Sequence, residues 1–431
     1  MTRKRQNRMM AVLALLLVCF FAMPGVACAE TPDDALPKGL IAAASTELER
    51  SMFASASAFE NVPVDVERVM IGLRYDNGAV DYAEFTDPTG AGFRIGSYDD
   101  ERHFQEQFRV NSRSVAVFRN DDQSLTLTDW TDSFRSENGA GFAIEAIGSE
   151  DGATTRFADE EYHGGFLCVP WGSDGMTVIN VVGLEDYVKG VIPYEMSAYW
   201  PYEALRAQAV CARTYVVYNL NAYEEFGFDL TNDTESQVYR GVAYADAVTD
   251  AAVDSTAGQY VRFRGELCEV YYFASDGGAT EDGKNVFGSD RPYLAGKTDP
   301  FESALDFTLE NWTLYRDGET ISEYLGREGY EIAPVVRLDP QYSELGNVIA
   351  MRYTDENGQS LSLSARESYS LIRLNNCRFA VYPTEDGFSF RGSGWGHNCG
   401  MSQWGANAMA SVYGYSCEDI ISFYFTGAYV A

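Results

Sequence analysis

Glu195 stands between Tyr194 and Met196, just ahead of the aromatic pair Tyr199-Trp200. A carboxyl in apolar, aromatic surroundings has its charged form disfavoured, so its pKa rises toward that of a working general acid. In open solvent the same residue would be an ordinary loop acid or helix cap. A second candidate is the run Gly392-Ser393-Gly394-Trp395-Gly396-His397-Asn398-Cys399-Gly400, which leads into Met401-Ser402-Gln403-Trp404-Gly405-Ala406. Its glycines let backbone approach a ligand closely, and the helix start that follows offers N–H groups. The run has no lysine, which weighs against a phosphate loop. His397 either serves a site or fixes a turn. Gln208, Gln237 and Gln403 are neutral hydrogen-bonding groups suited to sugar hydroxyls and amides. Tyr199, Trp200, Trp395 and Trp404 offer planes for the C–H faces of sugar rings, or ordinary core packing.

The elements that must position these residues follow from periodicity. Leu184 to Ile192 is a short amphipathic helix that Pro193 is expected to end, placing Tyr194-Glu195-Met196 on an irregular segment. Pro201 opens the next helix, with Leu205, Ala209, Ala212, Val216 and Leu220 as a core-facing stripe. Gln208 and Arg213 fall on opposite flanks of that stripe, where polar heads can reach a neighbouring cleft. A further helix from about Asp246 closes at Gly258 and leads into strands at Tyr260–Phe263 and Leu267–Phe273. Upstream, Val69, Ile71, Leu73 and Tyr75 alternate before the turn Asp76-Asn77-Gly78, and Val115 to Phe118 reads as another strand. Residues 307 to 390 alternate helix-like and strand-like patches without polar clusters that suggest chemistry. The last helix starts at the capping pattern Ser416-Cys417-Glu418-Asp419. The fold class expected is α+β: a β-rich N-terminal module over 61–155, then a mixed helix/sheet region over 156–431.

The whole chain of 431 residues carries a formal charge of −32. Its first 29 positions hold Arg3, Lys4, Arg5 and Arg8 and no acid, so without them the charge is −36. A surface this acidic repels phosphate backbones and anionic headgroups, which excludes nucleic acid as a partner. Residues 1–29 read as a secretory signal: a basic start, an apolar stretch from Met9 to Phe21, and a small-residue site ending at Ala29. Lipid attachment at Cys28, or retention of the segment as an anchor, are the alternatives to cleavage. Residues 30–60 read as a spacer. Six cysteines follow the signal, none in a Cys-x-x-Cys pair, and their pairing cannot be read. His103, His163 and His397 are the only histidines, with no pair at ligand spacing, so neither a metal site nor a cofactor is expected.

Taken together, Leu184-Glu185-Asp186-Tyr187, Glu195-Met196, Glu203 to Tyr215, Gly394-Trp395-Gly396-His397 and Gly400 to Ala406 resemble the SpoIID/LytB family, which comprises stage II sporulation protein D and amidase-enhancer proteins. The segments Gln237-Val238-Tyr239-Arg240-Gly241, Ser275-Asp276-Gly277-Gly278 with Glu281, and Arg366 to Phe379 match in order, so the likeness covers about residues 160 to 431. It implies a SpoIID-type catalytic region and a peptidoglycan lytic transglycosylase in which Glu195 cleaves between N-acetylmuramic acid and N-acetylglucosamine. Substrate contacts are expected from Gln208, Arg213, Gln237, Tyr239, Ser275, His397 and Gln403. The implied partners are glycan strands and a cell-wall amidase. Some members bind zinc through a histidine and two cysteines near the segment matching Asp229 to Gln237. This chain has neither residue type there, and Phe273 where many members have histidine, so zinc is not expected. Against the enzyme stand a non-catalytic enhancer of an amidase and a purely structural envelope protein.

Overall fold

The computed structural model describes residues 59–173, 175–306 and 311–431. The expected secretory signal and most of the expected spacer lie outside them.

Alternating apolar residues build two facing sheets at the N-terminal end. The first runs Leu230–Thr231, Arg68–Arg74, Gly175–Gly183, Gly165–Trp171, Phe142–Ala146, Phe93–Tyr98 and Phe104–Val110. The second runs Glu160–Tyr162, Thr155–Phe157, Tyr82–Thr86, Ser114–Arg119, Leu125–Thr128 and Ser133–Arg135. Inward side chains of both fill the space between them, and Phe85 of the second sheet meets Phe166 of the first with ring centroids 4.8 Å apart. Strands from both sides of residue 155 share each sheet, so the N-terminal module is woven into the chain that follows it.

The strand Gly175–Gly183 is the hinge of the architecture. Met176 to Val182 is an unbroken buried run. Val178 and Val182 join the main core while Ile179 and Val181 pack under Phe228 on the other face. The strand passes directly into helix α1 (Leu184–Glu195), followed by α2 (Tyr202–Tyr218) and α3 (Ala247–Asp254). Leu205, Ala209, Ala212 and Val216 of α2 are fully enclosed, as the stripe requires.

Next come a short helix α4 (Gly283–Phe287) and a satellite unit with its own core, built from α5 (Gly318–Arg327), α6 (Ala365–Leu371) and two three-stranded sheets. The chain then returns to the main core with α7 (Gln403–Ser411) and α8 (Cys417–Tyr424), which pack on α2. Ser416 and Asp419 form the expected capping box. The mixed α+β class holds throughout. No described helix is long and apolar enough to cross a membrane.

One boundary differs from expectation. Pro193 does not stop α1; the helix runs on to Glu195 and closes with the Met196 N–H on the Ile192 carbonyl. In the last turn a proline forfeits only the bond to the Lys189 carbonyl, a loss the helix end tolerates. Glu195 is therefore held at a helix terminus rather than on an irregular loop.

Candidate functional site

Two short strands bring distant parts of the chain to Glu195. Tyr272–Phe273 pairs in parallel with Met401–Ser402. This sets the Tyr272 side chain beside the first residue of α7, Gln403. Both reach the carboxyl at the end of α1: Gln403 Nε2 donates to Glu195 Oε2 at 3.1 Å, and the Tyr272 hydroxyl to Oε1 at 3.5 Å. The other Gln403 contact is a donation to Gln208 Oε1 from α2, at 3.5 Å.

Behind Tyr272 the network continues. Gln237 Nε2 donates to the Tyr272 hydroxyl at 2.9 Å, and Gln237 Oε1 accepts from Tyr187 on α1 at 3.1 Å. All five partners, the three glutamines and two tyrosines, are neutral. Burial therefore dominates, raising the Glu195 pKa to about 7, with the Gln403 and Tyr272 hydrogen bonds pulling the other way. No charged neighbour figures among the causes. The acid keeps its proton near neutrality yet has donors in place for the carboxylate once the proton leaves.

His397 serves this assembly at one remove. Its Nδ1 accepts the Cys399 N–H at 3.2 Å, so Nε2 carries the hydrogen and donates to the Tyr272 carbonyl at 3.0 Å. Enclosure among Tyr271, Phe273 and Phe287 lowers its pKa to about 3, which keeps it neutral. Its two ring contacts hold the loop against the Tyr272 strand. The glycines around it answer to the same packing: a Cβ on Gly400 would lie 2.2 Å from the Tyr271 carbonyl oxygen, at a φ of +85°. The loop is tight against its own chain, not open for a ligand. The N–H groups at the start of α7 are likewise taken, Trp404 by the Ala274 carbonyl and Gly405 by Ser402.

Three expected contacts fall elsewhere. Arg213 is fully buried in a bidentate pair with Glu185, at 2.8 and 2.6 Å, and its remaining donors face Thr256 and the carbonyls of Val253 and Gln259. It fastens α2 to α1, because that flank of the stripe turns onto another helix rather than into a cleft. Tyr239 is buried too and donates to Asn180 at 2.9 Å; only the glycine at 190 leaves room for its ring. Ser275 donates to Glu302 at 2.9 Å inside the fold. Tyr272 and Tyr187 are the contributors the sequence reading passed over. Tyr187 lies in the Leu184 to Tyr187 motif, and Tyr272 directly precedes the noted Phe273.

A zinc site does not fit the segment Asp229 to Gln237. Asp229 is tied to Arg102 at 2.6 and 2.8 Å, Asp233 accepts from Thr231, and Gln237 belongs to the network above. Near the site, Trp200 and Trp404 pack on each other with centroids 4.9 Å apart, while Tyr199 is 98% exposed.

A family profile described as Stage II sporulation protein matches residues 172–263, the stretch that carries Glu195, Gln208 and Gln237. An uncharacterized protein of Brachyspira hyodysenteriae is 32% identical over 309 residues, covering 68% of this chain and 80% of the relative. The chain belongs to the SpoIID family. Stage II sporulation protein D of Bacillus subtilis is 29% identical over 270 residues, 59% of this chain and 76% of its own length. The amidase enhancer of the same organism is 28% identical over 292 residues, 56% of this chain but 39% of that longer relative. The matched profile of this family therefore spans α1, α2 and Gln237, while Tyr272 and Gln403 reach the same site from outside it.

Proposed function

We propose that this chain is an exported lytic transglycosylase that cleaves peptidoglycan glycan between N-acetylmuramic acid and N-acetylglucosamine. The observation that carries the reading is a single carboxyl, Glu195, held protonated near neutral pH by burial among neutral donors. A glycoside hydrolase ordinarily needs two carboxylates, one to protonate the leaving oxygen and one to activate water or attack the sugar. A transglycosylase needs one. Glu195 gives its proton to the glycosidic oxygen as the C1–O bond breaks; the C6 hydroxyl of the same muramic acid attacks C1, and the carboxylate takes that hydroxyl's proton. The product is a 1,6-anhydro ring, and the acid returns to its starting state. Oε1, with the longer contact at 3.5 Å, is the oxygen better placed to carry the proton.

A second reading, stimulation of a cell-wall amidase without catalysis, is favoured by the name of one relative, the amidase enhancer. Digestion of purified glycan strands in ¹⁸O-labelled water distinguishes them. The proposal expects anhydro-terminated fragments without label; labelled reducing ends would mean hydrolysis. Absence of fragments together with faster release by an added amidase would favour the enhancer.

A further inference from the structure

Away from Glu195, three carboxylates converge inside the fold. One oxygen each from Asp276, Asp299 and Glu302 lies within 4.8 Å of the others, and all three residues are buried. Several other buried acids are compensated. Glu145 lies between Arg68 and Arg94, Asp229 faces Arg102, and Asp87 sits singly among the N–H groups of Thr89 and Gly92. Among the described residues no ion pair reaches the three converging acids, and Lys297 spends its ammonium on the Phe423 carbonyl and Thr426.

The donors around them are unevenly shared. Glu302 accepts from Ser275 at 2.9 Å, from the N–H groups of Asp276 and Gly277 at 2.9 and 3.0 Å, and from Ser402. Asp299 accepts from Phe301 N–H at 2.7 Å and from the Tyr424 hydroxyl at 2.5 Å. Asp276 Oδ1 accepts from Gly278 N–H at 2.7 Å. No N–H or hydroxyl donor reaches the enclosed Asp276 Oδ2, and the Asp276 carboxyl lies within hydrogen-bond reach of the Asp299 carboxyl. An enclosed carboxylate oxygen that faces further carboxylates and has no other donor calls for positive charge, either a cation or a proton shared between the acids.

We infer that Asp276, Asp299 and Glu302 form a divalent-cation site of the calcium type. The donors are all oxygens, which suits a hard cation and not zinc. All three oxygens lie within 4.8 Å of one another, close enough to share one ion at Ca–O contacts of about 2.4 Å. Magnesium, which usually keeps several of its waters, suits a site enclosed by protein oxygens less well. The ion would tie Ser275–Gly278 to α8 through Tyr424. Through Glu302 and Ser402 it would also brace the first turn of α7, where Gln403 reaches Glu195. That last consequence rests on the reading of Glu195; binding of the ion does not.

The test uses the full chain, stripped with a chelator and dialysed against calcium at moderate ionic strength, which weakens loose binding to the acidic surface. Bound metal is counted by elemental analysis, and the unfolding midpoint is followed against calcium concentration. The site predicts one retained ion per chain and a midpoint that rises saturably. Asp276→Asn should weaken binding at least about tenfold and flatten the rise, because calcium affinity follows ligand charge. Asp99→Asn, in the trio of the half-buried Asp99 and the exposed Glu101 and His103, should change neither. A wild-type chain that retains no ion and whose midpoint ignores calcium would overturn the inference and leave the acids sharing a proton; so would an Asp276→Asn chain that binds like the wild type. Should that variant not fold, the wild-type ion count still decides. The count is independent of whether the chain cuts glycan.

Discussion

At the scale of single residues, Glu195 carries a cost in stability that the proposed chemistry requires. The folded chain holds its proton to about pH 7, whereas an ordinary glutamate releases it near 4.5. Between those values the folded state binds the extra proton, so stability falls as pH rises across the window, by about 3 kcal/mol in all. Glu195→Gln removes this term. Denaturant unfolding should show the variant gaining stability over the wild type at pH 8 relative to pH 5; an unchanged difference would mean the acid is not held neutral. Activity should decline above about pH 7 as the proton is lost. Because the Tyr272 hydrogen bond holds the pKa down, Tyr272→Phe should move that decline to higher pH. Glu195 and the three glutamines were candidates from their chemistry and from the family resemblance, while their convergence left no local mark. Tyr272 was not among them, since nothing in its neighbourhood announces that its hydroxyl will meet an acid 77 positions away.

At the scale of elements, the site exists because two-residue strands pair. Propensity patterns found α2, α3 and the cap of α8, whose signals repeat over several turns or sit in a compact box. They could not find the Tyr272–Phe273 and Met401–Ser402 pairing, which is too short to show a period. Nor could they foresee that Arg213 would turn onto Glu185, because a helix flank is polar whether it faces a cleft or a partner helix. His397 is the brace of the short pairing, and its ionisation state tests that role. The folded imidazole takes a proton only near pH 3, the unfolded one near 6.5. Stability is thus fully present above 6.5 and is lost as pH falls toward 3. In NMR spectra the His397 ring should remain neutral, with hydrogen on Nε2, from about pH 5 to 8. A midpoint near the ordinary histidine value would contradict the brace.

At the scale of the whole molecule, the N-terminal sheets, the helical layer and the returning C-terminal helices share one core, and the satellite unit keeps its own. Composition and alternation foretold the β-rich start and the mixed remainder. The weave of strands across residue 155 was not foretold, because strand pairing between distant segments leaves no local mark. On the proposed function all of this framework presents one carboxyl to the substrate, and the central claim is that this one suffices. The most direct measurement compares digests of intact and peptide-stripped peptidoglycan by wild-type and Glu195→Gln chains, read by mass spectrometry. Glutamine keeps the shape and the contacts to Gln403 but delivers no proton, so the rate should fall by at least the roughly 10² to 10⁴ that general acid–base catalysis supplies. Anhydro-terminated fragments from the wild type and essentially none from a folded Glu195→Gln chain are the predicted result; equal product from both would contradict the account.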